Sequence, residues 1–379
     1  MIYLDNAATS FPKAPGVAEA VLHCLTEVGA NPGRASHRLA REGGRILFQA
    51  REACCGLFGV RDSSRLAFTK NATEALNLAI LGRVPAGGSV LVSSLEHNAV
   101  MRPLRHLEAA RRVRLLVVPF DACGQPEPEA LRAALGQRPD LMVLTAASNV
   151  TGALPEVGEI AALCRAAGVP LCLDAAQAAG HLPLSAPDLG VPLLCFSGHK
   201  GLLGPPGTGG LYAAEGFEPG PLIRGGTGSA SDSETQPEFM PDRLEAGTAN
   251  LPGLAGLLAA VQWLTAAGIE PVRKREAALT DRLLRGLLAL PGVAVPGPGP
   301  GVPRAPVVSI TVRGRDLGEL ALELDRRDIA IRVGLHCAPG AHRSIGTLAG
   351  GGTLRFSPGC FNTDAEIDEV LATLEAILT

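Results

Sequence analysis

Four polar clusters in this 379-residue chain bring together residue types that could serve one reaction. Phe196-Ser197-Gly198-His199-Lys200-Gly201 places a lysine at the end of an apolar run, before the glycine-rich turn Gly204-Pro205-Pro206-Gly207. Lysines ordinarily sit on solvated faces, and burial favours the neutral amine that Schiff-base chemistry needs. The other reading of Lys200 is an exposed lysine in a surface turn. Leu171-Cys172-Leu173-Asp174-Ala175-Ala176-Gln177 ends a second apolar run in a carboxylate. Asp174 is either the partner of a cationic ring nitrogen or a helix N-cap. Thr69-Lys70-Asn71-Ala72-Thr73-Glu74 reads as a capped helix start. Its free amides and the Thr73 hydroxyl would cradle a phosphate, or it is only a capped helix. In Ile331-Arg332-Val333-Gly334-Leu335-His336-Cys337-Ala338, Cys337 lies beside His336 and near Arg332. Positive neighbours favour the nucleophilic thiolate, and the alternative is a structural cysteine next to a solvent-facing histidine.

A phosphate cradle, a carboxylate, a Schiff-base lysine and a thiol together describe pyridoxal phosphate (PLP) chemistry with an added sulfur nucleophile. No dinucleotide fingerprint or P-loop competes for the chain. A zinc site through His336, Cys337 and His342 is a separate alternative.

Such clusters must be held by elements, and the pattern supplies them. Short apolar runs at 66–69, 90–93, 115–119, 141–145, 171–174, 193–197 and 210–213 read as strands. Helical stretches at 72–81, 99–111 and 156–167 lie between them. Runs without alternation are strands buried on both faces, so the expectation is an α/β chain with a mainly parallel sheet of seven strands. In open parallel sheets ligands bind beyond the carboxyl ends of the strands, where three of the four clusters fall. Beyond this region come helices at 251–267 and about 270–290, then a Gly/Pro-rich loop at 291–306. Strands at 307–312, 329–333 and 353–356, with helices at 317–327 and 364–378, make a smaller α+β unit. The expected division is 15–255 for the large unit and 256–379 with 1–14 for the small one.

Composition agrees with a large packed core, at 46% hydrophobic and 19% charged. A net charge of −3 lacks the basic footprint of a nucleic-acid binder. The uncharged run 246–269 has the length of a membrane span, but Asn250, Pro252 and Gln262 interrupt it, so a buried helix is expected and no membrane partner. Nine cysteines without C-x-x-C spacing indicate neither a disulfide scaffold nor a structural zinc site, and suit a reducing cytoplasm.

With these motifs the chain resembles the class V, fold type I PLP-dependent enzymes, and among them the cysteine desulfurase and selenocysteine lyase group with a short catalytic-cysteine loop. The likeness runs from Tyr3-Leu4-Asp5-Asn6-Ala7-Ala8-Thr9 to Phe361-Asn362-Thr363-Asp364 and is strongest at 196–200 and 332–338. It implies that Lys200 carries PLP, Asp174 pairs with the pyridinium nitrogen, Gln177 meets the ring oxygen and His97 stacks on the ring. Ala72, Thr73, Ser197 and His199 would hold the phosphate. Thr248 would reach the cofactor of a neighbouring subunit, which implies a homodimer. Arg355 would clamp the substrate carboxylate, and Asn149 would orient the substrate. Arg34 and His37 would lie near the entrance. The implied activity converts L-cysteine, or L-selenocysteine, to L-alanine, with sulfur captured on Cys337 and passed to an acceptor protein. A C–S lyase or aminotransferase of the same fold would not need Cys337. Two positions depart from the family pattern. Pro192 stands where an Asp is common, and Leu335 where a His is common.

Overall fold

The structure, a computed structural model, describes residues 1–32 and 37–379. It opens with β1 (Ile2–Tyr3), α1 (Val17–His23) and α2 (Arg38–Leu57). There follow β2 (Leu66–Thr69), α3 (Ala72–Arg83), β3 (Gly88–Ser93), α4 (Asn98–Ala109) and β4 (Val113–Val118). Next come α5 (Pro128–Gly136), β5 (Leu141–Thr145), α6 (Val157–Ala167), β6 (Leu171–Asp174), α7 (Ala186–Leu189), β7 (Leu193–Ser197) and β8 (Gly209–Ala213). These strands form one seven-stranded sheet in the order β2-β8-β7-β6-β5-β3-β4. Its inner pairs are parallel, and β8 alone runs against its neighbours β2 and β7. The expected mainly parallel sheet is therefore present. Every residue of β5, β6 and β7 is buried, as uninterrupted apolar runs require when helices cover both faces.

Two long helices follow, α8 (Leu251–Ala267) and α9 (Ile269–Ala289), bent by 85° at Gly268. Asn250 caps α8 by accepting the Gly253 N–H, and Pro252 sits in the first turn, where its missing N–H costs nothing. Among the described residues no single helix is long and apolar enough to cross a membrane. Leu257, Val261 and Leu264 of α8 pack in the same core as β5 to β7, so the boundary expected at 255/256 runs through this helix.

The remaining elements are β9 (Val293–Ala294), β10 (Val308–Val312), α10 (Leu317–Asp325), β11 (Ile329–Ala330), β12 (Arg332–Gly334), α11 (Pro339–Ser344), β13 (Thr353–Phe356) and α12 (Asp364–Leu378). A four-stranded antiparallel sheet, β12-β13-β10-β9, carries this unit. The single strand expected at 329–333 is two. β11 pairs in parallel with β1, and β12 pairs with β13. Ile2 and Leu4 are buried in a separate core with α9, α10, α12 and this sheet, so the N-terminal residues pack with the C-terminal unit.

Candidate active site

The site is built where the parallel strands end. Asn71, Ala72 and Thr73 follow β2, His97 follows β3, Thr145 closes β5, and Ala147 and Asn149 follow it. Asp174 closes β6, Ser197 closes β7, and His199 and Lys200 follow it. With Gln177 they line one cavity of about 180 Å³. Most of the residues singled out for cofactor contact are thus brought together by the sheet.

Each wall has a local cause. The Asn71 side chain accepts the Glu74 N–H at 3.0 Å, as a helix cap should. The Glu74 carboxylate reaches back to accept the Lys70 N–H at 2.6 Å. The Ala72 N–H, at the α3 N-terminus, donates to Ser197 Oγ at 3.1 Å. Asp174 is 4% exposed, accepts the Ala176 N–H at 2.9 Å, and burial raises its carboxyl above the ordinary value. It therefore faces the cavity and also ties the turn that follows β6. The Gln177 side-chain amide donates to Ala7 O at 2.8 Å.

Lys200 lies in the cavity wall rather than in a solvated turn. Burial lowers its amine to about 8, Arg355 and Arg332 push the same way, and Asp174 and Cys337 pull back. His97 accepts the Ala99 N–H through Nδ1 at 3.0 Å. Burial first, then the charges of Lys200, Arg102, Arg332 and Arg355, lower it to about 4, so its ring is neutral at physiological pH.

The second half of the site comes from the small sheet. Arg355, in β13, is 2% exposed. It donates to Asp5 Oδ1 at 2.8 Å and to Asn149 O at 3.1 Å, and its buried Nε has no hydrogen-bond partner among the described residues. Cys337 is exposed in the turn between β12 and α11. His336 and Cys337 both take left-handed backbone conformations, with φ of 47° and 58°. Such values cost a non-glycine residue about 1–2 kcal/mol each, so something must hold them. Asn149 Nδ2 donates to His336 O at 2.7 Å, the Asn98 N–H to Cys337 O at 2.7 Å, and the Ala338 N–H to Leu335 O at 2.9 Å. Leu335 thus serves the turn through its carbonyl, and Pro192 O likewise accepts the Ala214 N–H at 2.8 Å. His336 and His342 lie with ring centroids 5.7 Å apart, tilted by 43°, and bond to Thr353 and Thr347, which gives these rings structural partners.

Two expected residues stand elsewhere. Thr248 lines a different groove of about 580 Å³, together with Lys70, Glu74 and Gly226 to Gly228. That groove opens beside the first turn of α3, whose Asn71 to Thr73 line the cavity. His37 is exposed and caps α2 by accepting the Ala40 N–H. Arg34 lies outside the described residues.

Sequence reasoning missed Asp5 as the partner of Arg355, although Asp5 stood inside the quoted N-terminal motif. It also missed Glu96, which is 1% exposed and accepts from Ser93 Oγ at 2.6 Å and the Thr145 N–H at 2.9 Å. Burial raises its carboxyl to about 8, against those two hydrogen bonds. The remaining cysteines divide sharply. Only Cys123 is exposed like Cys337, while burial raises Cys55, Cys164 and Cys360 to about 12.

The residues present fit PLP. An acid and a lysine share the cavity with a helix N-terminus, and the buried His199 Nδ1 has no hydrogen-bond partner among the described residues. Comparison with known proteins points the same way. The family model described as aminotransferase class-V matches residues 2–370. A probable cysteine desulfurase of Methanothermobacter thermautotrophicus is 33% identical over 99% of this chain and 94% of its own length. One from Aeropyrum pernix is 34% identical over 100% and 95%. Among solved structures, the apo cysteine desulfurase of Thermococcus onnurineus superposes with a TM-score of 0.92 at 30% identity, covering 100% of this chain and 94% of that one. A sheet whose strand ends gather lysine, acid and helix amides, matched over nearly its whole length, is the signature of descent as well as of chemistry, and the chain belongs to the class V aminotransferase family.

Proposed function

We propose that this chain is a PLP-dependent cysteine desulfurase that moves sulfur from L-cysteine to Cys337 and on to an acceptor thiol. The observation that carries this reading is the exposed Cys337 turn, tied by Asn98 and Asn149 to the rim of the cavity that holds Lys200 and Asp174. A lyase or aminotransferase has no use for such a thiol. Relatives named cysteine desulfurase, matched end to end, support it.

When bound, PLP supplies the electron sink that makes the substrate α-carbon acidic. Arg355 meets the substrate carboxylate with its planar fork, oriented beforehand by Asp5 and the Asn149 carbonyl. Lys200, with its amine near 8, accepts and returns the α-proton. His97, neutral in the cavity wall, would cover the ring face of the bound cofactor. The Cys337 sulfur attacks the substrate sulfur. A sulfur–sulfur bond forms and the carbon–sulfur bond breaks. The electron pair stays with the departing carbon, which takes up a proton to become alanine. The persulfide is then discharged by thiol exchange with the acceptor.

A homodimer belongs to the same proposal. Thr248 lies outside the Lys200 cavity, so its contact with a cofactor requires a second copy seated in the 580 Å³ groove. We also place the division between units at Gly268, where α8 ends its packing on the large sheet. The exposed, unpaired thiol suits a reducing cytoplasm.

The test is a product assay on PLP-loaded protein with L-cysteine and a reductant. Equal alanine and sulfide, reduced at least ~1000-fold in Cys337→Ala, is the expected result. Pyruvate, or activity that survives the substitution, would move the chain to the lyases. Turnover of selenocysteine alone would keep the residues and change the substrate.

A further inference from the structure

The carbonyl of His199, one bond before Lys200, is the most heavily solicited acceptor in the site. The Ser10 N–H reaches it at 2.9 Å, Thr9 Oγ1 at 3.1 Å, Ser10 Oγ at 3.2 Å and Lys13 Nζ at 3.1 Å. All four donors come from one stretch of the N-terminal segment. The Lys13 ammonium spends its other contacts on the same hydroxyls, 3.1 Å from Thr9 Oγ1 and 3.1 Å from Ser10 Oγ. Three donors thus meet three acceptors.

Lys13 is half-buried and forms no salt bridge among the described residues. An ammonium taken from water and given only neutral partners is costly, and here burial lowers it to about 8. Of the four donors it is the charged one, and charge-assisted bonds are roughly twice as strong as neutral ones. The peptide it holds is planar, so fixing the His199 oxygen also fixes the nitrogen and Cα of Lys200. On the other side, Gly201 packs so closely on the Ala179 carbonyl and the His181 ring that a Cβ would collide with both. His181 is in turn held by Glu276 of α9 at 2.8 Å. Lys200 therefore springs from a peptide gripped on one side by the N-terminal segment and on the other by a buried pair.

We propose that Lys13 is a positioning residue for Lys200: its ammonium fixes the His199–Lys200 peptide and places a positive charge behind the cavity wall that His199 forms. The proposal rests on the reading that Lys200 carries PLP. It gives the N-terminal segment a part in seating the cofactor.

The test compares wild type, Lys13→Met and Lys13→Arg as full-length chains. PLP affinity is measured by visible-absorbance titration, and the set of the bound ring by visible circular dichroism. The thermal midpoint of the cofactor-free protein controls for folding. Lys13→Met keeps the stem and loses the charge. About a tenfold loss of PLP affinity and a weakened dichroic band, with the cofactor-free midpoint within ~2 °C of wild type, are expected. Lys13→Arg, which keeps a charged donor, recovers affinity to within about threefold of wild type. The proposal is overturned if Lys13→Met binds PLP within twofold of wild type with an unchanged band. It is equally overturned if its affinity loss comes with a matching fall in cofactor-free stability, or if Lys13→Arg is no better than Lys13→Met. Failure of wild type to bind PLP would instead bring down the reading of Lys200, and is distinguishable because it precedes any comparison of variants.

Discussion

The cavity wall around Lys200 and the turn that carries Cys337 are built on opposite principles. The wall is made of strand ends in a sheet whose central strands are fully buried, and its groups are shifted by burial: Lys200 down to about 8, His97 down to about 4, Asp174 up. The turn presents Cys337 to solvent, holds two consecutive left-handed residues and is tied down by hydrogen bonds from Asn98, Asn149 and Thr353. A group that binds and polarises gains from rigidity and exclusion of water. A group that must receive sulfur inside and surrender it outside gains from exposure and few ties. The contrast matches two tasks of one reaction, bond breaking and delivery.

The largest effect that could break this contrast is at the wall. If Lys200 is as dehydrated as its surroundings suggest, half its amine is unprotonated near pH 8, about a hundredfold more than for an ordinary lysine. Competitive acylation of the cofactor-free protein, read by peptide mass, should therefore show Lys200 reacting with a midpoint near pH 8. A midpoint above 10 would make the wall as wet as the turn. A smaller effect tests the tie between the two regions. Asn149→Ala removes the bond to His336 O and should lower alanine formation about tenfold while PLP affinity stays within twofold. An equal loss of both would mean the turn and wall form one rigid body.

The smallest effect concerns Glu96, buried beneath the wall. The fold keeps its proton to about pH 8, whereas the unfolded chain releases it near 4.5. The folded state thus binds the extra proton between those values, and the stability this gives is lost as pH rises through that window. Glu96→Gln, which stays neutral, should flatten the dependence and raise the cofactor-free midpoint at pH 8.5 by about 2 °C, with little change at pH 5. Parallel melting curves for the two proteins across that range would show that Glu96 is ionised in the fold.

What could be read from sequence divides along the same line. The strands at 66–69, 141–145, 171–174 and 193–197 have the expected bounds, because a fully buried parallel strand is an uninterrupted apolar run ending where polarity begins. Asp174 and Lys200 were legible for the same reason, as polar residues at the end of such runs. The split of 329–333 was not, since a run of apolar residues does not say which partner each half will take. Helix α2 was also missed. Its Gly43 interrupts the pattern, and the close approach of Leu251 on α8 and of the Ala30 carbonyl explains a glycine there. Lys13 was illegible because its partner is a backbone carbonyl 186 residues away, and backbone acceptors have no sequence signature.

The burial of the other cysteines has a consequence for handling sulfur. A persulfide migrates only to a thiol that can ionise and be reached. With Cys55, Cys164 and Cys360 held at about 12 and Cys24, Cys54, Cys172 and Cys195 inside the core, sulfur on the proposed Cys337 persulfide would have almost nowhere to wander within its own chain. The fold does for its thiols what protecting groups do in a flask. Cys123→Ser would leave Cys337 as the single open handle for a thiol-selective probe, and so a place to hang a reporter on the delivery step itself.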